Sequence, residues 1–215
     1  MHKYALFETA IGWTGIAWGN NGLIGAHLPE RDQTVGRASL LRRFPGVVEA
    51  GTPPEVAGVI DGIRALLRGE KPMLLEARLD LSGVPEFNAK VYAITRRIPP
   101  GETITYGAIA LRIGDRHLAQ QVGGVLGRNP WPIVVPCHRV TAAGGKLGGF
   151  TARGGVQTKL KLLAIEGAPA AAQADLFGPE CRPVWPRMMT VERGLRGGLP
   201  PDKPTANLPS TSLVR

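Results

Sequence analysis

The chain has 215 residues, of which 43% are hydrophobic and 20% are charged, as expected for a globular protein of one compact or two small domains. It has no run of about 18 apolar residues, and its first residues lack the apolar stretch of a signal peptide. We therefore expect an intracellular protein without a membrane partner. A net charge of +9 favours a polyanionic partner, and charge alone does not distinguish nucleic acid from an anionic membrane surface.

The two cysteines, Cys137 and Cys181, and the four histidines limit the metal and redox chemistry. None of them stands at Cys-x-x-Cys or His-x-x-x-His spacing, so we expect no metal, no other cofactor and no disulfide framework. Cys181 falls in a proline-rich stretch and is interpreted as a bystander. Whether Cys137 is a nucleophile depends on its neighbours.

Residues 1–84 predict a small N-terminal α/β domain. The pattern over residues 4–28 indicates a three-stranded β-meander with short turns. Residues 52–68 open with Thr-Pro-Pro-Glu, a capping-box pattern with proline at the first helical position, and predict a helix that Gly69 ends. Alternating apolar and charged residues over 74–81 predict a strand buried on one face.

At residue 85 the hydrophobic period becomes helical, which predicts a domain boundary and a second domain over residues 85–168. One helix runs to about residue 98. Two short helices follow, Tyr106–Ile113 and His117–Arg128, and their three-residue connection is typical of a helix-turn-helix.

A last helix is predicted over residues 154–166, with Val156, Leu160 and Leu163 facing inward. Residues 169–215 are rich in Ala, Pro and Gly and have an excess of basic residues. They are interpreted as a mobile basic tail.

The segment Asn129–Val140 combines three prolines with an apolar run and ends in Cys137-His138. A thiol is mostly protonated at neutral pH, and apolar surroundings raise its pKa, so a reactive cysteine here needs a base. His138 could take the proton directly or through water, and a carboxylate on its second nitrogen would hold the ring. Glu166 is the candidate carboxylate. Taken alone, the cysteine of Pro-Cys-His could equally be a small, unreactive core residue.

Further motifs stand in a fixed order around this segment: Phe87–Val91, Gly101–Gly107, Val122–Gly124, Asn129–Val140, Gly148–Phe150 and Leu162–Gly167. Together they make residues 85–167 resemble the C-terminal domain of the O6-alkylguanine-DNA alkyltransferases, also called methylated-DNA-protein-cysteine methyltransferases. The resemblance implies a mostly helical, winged-helix-like domain with a helix-turn-helix. The N-terminal half is similar only in plan, as an RNase H-like α/β domain.

This resemblance implies direct-reversal DNA repair, in which Cys137 takes the alkyl group from guanine O6 irreversibly, with one turnover per molecule. His138, through water, and Glu166 would stabilise the thiolate, and Asn129 would brace the active-site turn. Tyr106 would help to turn out the nucleotide and supply a proton to the departing guanine. Activity on O4-alkylthymine stays open.

The family also implies a pocket for the turned-out base, lined by Pro132, Phe150 and Thr151, and a monomer that binds double-stranded DNA through the minor groove. A stacked base must leave the duplex, at a cost of about a few kcal/mol, before a nucleophile can reach it. Glycines in the second helix would allow a close approach to the sugar-phosphate wall. The DNA-binding residues would be Asn88, Tyr106, Gln120, Gln121, Gly123, Gly124 and Arg128.

Some positions depart from the family pattern. Many relatives have an arginine at the position of Gln120, which fills the gap left by the flipped base. Arg116 or Arg128 could take over this role, or Gln120 could fill the gap with less electrostatic help. Phe150 and Thr151 stand where some relatives have Tyr and Ser.

Two other functions stay open at this point. One is a non-catalytic, alkyltransferase-like protein that binds and marks the lesion, although such proteins usually have tryptophan at the position of Cys137. The other is a cysteine hydrolase that uses Cys137 and His138. Their adjacent placement makes direct pairing awkward, and no oxyanion-hole motif is apparent.

Overall fold

The computed structural model describes residues 1–151 and 154–169, which form a mixed α/β structure, as predicted. The RNase H-like and winged-helix-like descriptions stay predictions. Nearly all of the predicted tail, with Cys181, lies outside the described residues. Among the described helices, none is both long and apolar enough to cross a bilayer.

The N-terminal half is built on one four-stranded sheet, which confirms the predicted meander. The strand order is β3-β2-β1-β4, with β1-β2 and β2-β3 antiparallel and β1-β4 parallel. The strands are β1 (Lys3–Thr9), β2 (Gly12–Gly19), β3 (Gly22–Ala26) and β4 (Val48–Glu49). The two residues of β4 are too few to give an alternating pattern, so the sequence did not indicate this strand.

Two helices accompany this sheet, α1 (Gln33–Arg43) and α2 (Pro54–Leu67). The first was not predicted. Its N-terminus is capped by the Asp32 side chain, which accepts a hydrogen bond from Val35 N at 2.9 Å. The second confirms the predicted helix, but the predicted capping box is wrong. Pro53 occupies the N-cap position, so Thr52 lies outside the helix and no side chain caps it.

The predicted strand over residues 74–81 is also wrong, because the segment makes only a single bridge, between Leu79 and Leu23. Much of the segment is instead held by the guanidinium of Arg96. Its Nη2 donates to three carbonyls of this segment at 2.7 to 2.8 Å, those of Leu74, Leu75 and Ala77. Carbonyls that bind a side chain in this way do not form a strand ladder.

The C-terminal half is mainly helical and contains the predicted helix-turn-helix. Its elements are α3 (Glu86–Arg96), β5 (Ile104–Thr105), α4 (Tyr106–Ile113), α5 (Ala119–Gly127), β6 (Val140–Thr141) and α6 (Gly155–Ile165). Helices α4 and α5 pack against each other and against α3. A 3-10 turn, Arg116–Leu118, precedes α5, because the Asp115 carboxylate accepts from His117 N at 2.8 Å.

The inward face of α6 differs from the prediction. Val156 is 39% exposed, so its predicted inward position is wrong. Leu163 is buried as predicted, and Leu160 is half-buried. Lys159 and Leu162 are also buried. A cation is therefore buried on this helix, at a position that the predicted inward face did not include.

One hydrophobic core draws on both halves of the chain. It joins Ile16 and Ile63 of the N-terminal half to Val91 and Leu162 of the C-terminal half. Trp131 lies within it and donates from Nε1 to the carbonyl of Leu23 at 2.7 Å. The N-terminal half is thus packed directly against the segment that leads to Cys137, while the boundary at residue 84 stays a prediction.

Candidate active site

The segment before Cys137 is braced by the buried side chain of Asn129. Its Nδ2 donates to the carbonyl of Val135 at 2.8 Å, and its Oδ1 accepts from Trp131 N at 2.9 Å. One amide therefore ties both ends of the loop, replacing the hydrogen bonds that a regular element would make. The role in the reaction that the resemblance implies for Asn129 stays a prediction.

Ile133 lies in this loop with φ of 73°, and it is the one non-glycine residue with positive φ in the described part of the chain. Such a conformation is unusual for a β-branched residue and is kept only where the surroundings impose it. At Pro136, φ of −80° and ψ of 67° form an inverse γ-turn, and Cys137 N donates to the carbonyl of Val135 at 2.8 Å. The loop thus turns sharply and presents Cys137 at the start of a 3-10 turn.

The N-terminal half binds the same loop through hydrogen bonds. Ala26 N donates to the carbonyl of Pro130 at 2.9 Å. Arg43, in the last turn of α1, donates from Nη2 to the carbonyl of Asn129 at 2.5 Å. Since these contacts come from distant parts of the sequence, the loop position depends on the packing of both halves.

Cys137 is half-buried and lines a cavity of about 1040 Å³. The cavity also brings together other predicted site residues: Tyr106, Gln120, Gly123, Asn129, Pro132, Phe150 and Thr151. Its remaining wall comes partly from the N-terminal half, through residues that include His27, Glu30, Ser39, Arg42 and Arg43. The cavity therefore has space beyond the thiol for a base-sized ligand.

Behind Cys137, His138 and Glu166 are both buried and lie in contact. His138 Nε2 is 2.9 Å from Glu166 Oε1. Because a carboxylate only accepts, Nε2 carries the hydrogen and the Nδ1 of a neutral His138 is the free acceptor. Burial lowers the pKa of His138, against an opposing effect of Glu166, so the resting imidazole is neutral.

The same carboxylate is bound by Arg139, which sequence reasoning did not select as a site residue. Arg139 donates from Nε to Oε2 at 2.9 Å and from Nη2 to Oε1 at 2.8 Å. Burial raises the pKa of Glu166, but the hydrogen bonds from His138 and Arg139 outweigh it and lower the pKa to about 2. Glu166 is therefore a carboxylate at neutral pH.

The Cys137 thiol itself is not ionised at rest. Burial raises its pKa, although a hydrogen bond with Asn129 and the positive charges of Lys159 and Arg43 oppose this effect. The site therefore holds a thiol beside groups that favour the thiolate.

Lys159 is a second functional candidate that the sequence analysis did not select. It is fully buried, and its Nζ donates to the carbonyls of Val140 and Leu147, both at 2.5 Å. Burial lowers its pKa to about 8, against the effect of Cys137, so it is mostly protonated at pH 7. A lysine at this position on α6 resembles an ordinary surface residue in sequence, since its partners come from another segment.

Tyr106 begins α4, where the Thr105 side chain caps the helix by accepting from Ala108 N at 3.1 Å. The hydroxyl of Tyr106 donates to the carbonyl of Gly149 at 3.4 Å. Burial raises the pKa of Tyr106, and so does its proximity to Cys137. Tyr106 thus keeps its proton at rest and stands in the cavity close to the thiol.

Helix α5 presents a polar outer face. Gln120, Gln121 and Arg128 are exposed, whereas the opposite face packs into the core. Gly123 and Gly124 are half-buried, and Gln120 and Gly123 reach the cavity wall. The cavity lining does not include Gln121, Gly124, Arg128, or Asn88 on α3. These four residues therefore lie outside the pocket.

Comparison with known proteins shows the family of this chain. Residues 86–168 match the family model described as 6-O-methylguanine DNA methyltransferase, DNA binding domain. A methylated-DNA-protein-cysteine methyltransferase of Methanothermobacter thermautotrophicus is 31% identical over 159 residues, which cover 74% of this chain and 82% of that protein. The chain belongs to the methylated-DNA-protein-cysteine methyltransferase family.

The similarity extends to the N-terminal half of this methyltransferase. A crystal structure of the Mycobacterium tuberculosis O6-methylguanine methyltransferase superposes with a TM-score of 0.61 at 33% identity, covering 83% of this chain and all of that one. A relative from Thermus thermophilus has a different name, DNA base-flipping protein. It is 37% identical over 120 residues, which cover 54% of this chain and 79% of that protein.

Proposed function

We propose that this methyltransferase repairs DNA by direct reversal, with Cys137 accepting the alkyl group of O6-alkylguanine once and irreversibly. The observation that carries the proposal is the position of Cys137 on the wall of a cavity of about 1040 Å³, directly before the buried pair of His138 and Glu166. An accessible thiol with a buried base behind it suits nucleophilic attack on an alkyl carbon.

The proton of Cys137 leaves through water to Nδ1 of His138, whose Nε2 stays bonded to the Glu166 carboxylate. Glu166 remains ionised and stabilises the imidazolium, as an orienting carboxylate does in other nucleophile-base pairs. The positive charge of Lys159 favours the thiolate that forms. Deprotonation is therefore coupled to the reaction and is not a property of the resting site.

In the transfer step, the Sγ–C bond forms while the C–O6 bond breaks, and the electron pair of that bond stays on the guanine. Tyr106 supplies a proton to the guanine, and the proton on His138 later returns to Tyr106 through solvent. The product is a thioether, and a thioether offers no good leaving group. One molecule therefore repairs one lesion.

For DNA binding, we propose that α5 enters the minor groove of double-stranded DNA. Its polar outer face would place Gln120, Gln121 and Arg128 against the duplex, with Gly123 and Gly124 allowing close approach. Asn88 on α3 would make a further backbone contact. We propose that a monomer binds in this way, because one chain supplies both the helix and the cavity.

Within the cavity, Pro132, Phe150 and Thr151 would hold the turned-out base. Thr151 is fixed to the end of α5 by its hydroxyl, which donates to the carbonyl of Gly127 at 2.7 Å. Gln120 stands where the cavity meets the outer face of α5, so it would fill the gap that the base leaves in the duplex.

Intact-mass measurement tests this function. The full-length protein is incubated with an excess of duplex DNA that contains O6-methylguanine. The protein should gain the mass of one methyl group in place of hydrogen, on the peptide with Cys137, and repair should stop at one equivalent. Cys137→Ser should neither gain mass nor repair.

A second candidate function is lesion binding without chemistry, favoured by the similarity to the Thermus thermophilus DNA base-flipping protein. In this case the lesion would stay in the DNA and the protein mass would not change. Repair that continues beyond one equivalent, without lasting modification, would instead indicate a hydrolase.

A further inference from the structure

We infer that the last turn of α1 binds a backbone phosphate of the lesion strand, beside the nucleotide that is turned out of the duplex. The surface consists of Arg42, with Arg43 next to it, on the cavity wall contributed by the N-terminal half. This inference rests on the proposed function, since it requires a nucleotide in the cavity.

The first argument is charge. Four arginines at or near the surface of the described chain pair with a carboxylate: Arg31 with Asp32 at 3.0 Å, Arg64 with Asp61 at 3.2 Å, Arg68 with Glu70 at 2.8 Å, and Arg37 with Glu49. Arg42 instead reaches the hydroxyl of Ser39 at 3.5 Å, and Arg43 binds the carbonyl of Asn129. Neither partner carries a negative charge, although the Ser39 hydroxyl itself donates to the Glu30 carboxylate at 3.0 Å. Because the charge of Arg43 already favours the Cys137 thiolate, Arg42 is the cation that remains for an external anion.

The second argument is position. Ser39, Arg42 and Arg43 line the cavity together, because they follow one another at helical spacing. Gln120 and Gly123 of α5 line the same cavity. A base that enters this cavity brings the phosphates of its own nucleotide to the mouth. There they meet α5 on one side and α1 on the other.

The two arginines differ in how firmly their guanidinium groups are held. Arg43 is held by its bond to the loop of Cys137 and lies 5.8 Å from the ring of Phe44. Arg42 is exposed, and within the described part of the chain its side chain makes a single, long contact with Ser39, so its guanidinium can reorient towards a phosphate. Arginine suits this role because its fork of donors matches two phosphate oxygens.

A simpler explanation is that both residues only complement the dipole at the C-terminus of α1, which would stabilise the helix by about 0.3 to 1 kcal/mol. That explanation predicts a change in stability and none in DNA binding. The two explanations are therefore separated by measuring how salt affects the dissociation constant.

The test uses the full-length Cys137→Ser protein, which keeps the lesion intact, and two duplexes of one sequence with O6-methylguanine or guanine at the same site. Adding Arg42→Ala should weaken binding to the lesion duplex and reduce the slope of log Kd against log salt by about 0.9, the value for one phosphate contact. The reduction should be smaller with guanine. Arg42→Lys should keep most of the slope.

Arg68→Ala is the matched control, because it removes one exposed arginine that pairs with Glu70 and does not line the cavity. It should leave the slope unchanged. An unchanged slope with Arg42→Ala overturns the inference, and so does an equal reduction on both duplexes. Neither result touches alkyl transfer to Cys137, which the mass measurement on the unsubstituted protein decides separately.

Discussion

Arg139 binds the carboxylate of Glu166 at two points, with Nε 2.9 Å from Oε2 and Nη2 2.8 Å from Oε1. Both side chains are buried, and Oε1 also accepts from His138. The carboxylate that contacts His138 is therefore neutralised by the residue directly after His138. Arg139 also donates from Nη1 to the carbonyl of Ile98 at 2.6 Å, which connects the Arg139–Glu166 pair to the segment just after α3.

Replacing Arg139 tests how much this pair contributes to stability. Arg139→Ala leaves a buried carboxylate without its cation, so the free energy of unfolding should fall by about 3 to 5 kcal/mol in a denaturant titration. Arg139→Lys should recover only part of the loss, because an amine cannot reproduce the two-point geometry. The exposed Arg112→Ala serves as control, and a similar small effect of both alanine variants would contradict the prediction.

Acid should destabilise the protein by protonating Glu166. The pKa of Glu166 is about 2 in the folded protein, below the ordinary value of 4.5, so its contribution is complete above pH 4.5 and is lost as the pH falls towards 2. The lowered pKa of His138 adds a loss of stability that begins below its ordinary value of 6.5.

Unfolding measured by denaturant at a series of pH values should therefore show stability falling from about pH 6.5 downwards. In Glu166→Gln the fall between pH 4.5 and 2 should be shallower than in the unsubstituted protein. Parallel curves for the two proteins in that range would show that Glu166 does not carry the effect.

Sequence patterns predicted elements well where local signals set both ends. Helix α4 has the predicted bounds, Tyr106–Ile113, because Thr105 caps its start and Gly114 ends it with φ of 126°. The predicted strand over 74–81 failed because alternation only indicates which faces are apolar. Whether a strand forms depends on its partners, and here the Arg96 guanidinium binds the carbonyls.

In the candidate site, too, features with a local sequence signal were predicted, and features that depend on distant residues were not. The motif around Cys137 predicted the loop, and the structure brings His138 to 2.9 Å from Glu166 across 28 positions of sequence. The sequence did not indicate Lys159, because its burial depends on two carbonyls supplied by another segment. The positive φ of Ile133 also has no local signal, since isoleucine strongly disfavours it.

Lys159 should speed alkyl transfer through its charge. Lys159→Met removes a cation that lowers the pKa of Cys137. If the pKa of the thiol rises by about one unit, the thiolate fraction at pH 7 falls about tenfold, and the single-turnover rate should fall with it. Since the pKa of Lys159 is about 8, the advantage of the unsubstituted protein should shrink above that pH. Lys161→Met, at an exposed position of the same helix, should transfer at the normal rate. A pH-independent difference between Lys159→Met and the unsubstituted protein would mean that the effect is steric.

The position of Tyr106 can be tested through the glycines beside it. A Cβ on Gly148 would lie 3.0 Å from Cε2 of Tyr106, and its φ of 71° disfavours any other residue. Gly148→Ala should therefore displace the ring and slow transfer from duplex DNA by about tenfold or more, an effect of roughly 1.4 kcal/mol on the barrier. Gly149→Ala is the matched control, because a Cβ there has no neighbour within 4 Å. Circular dichroism should show both variants folded, and equal rates for the two would mean that the placement of Tyr106 does not limit the reaction.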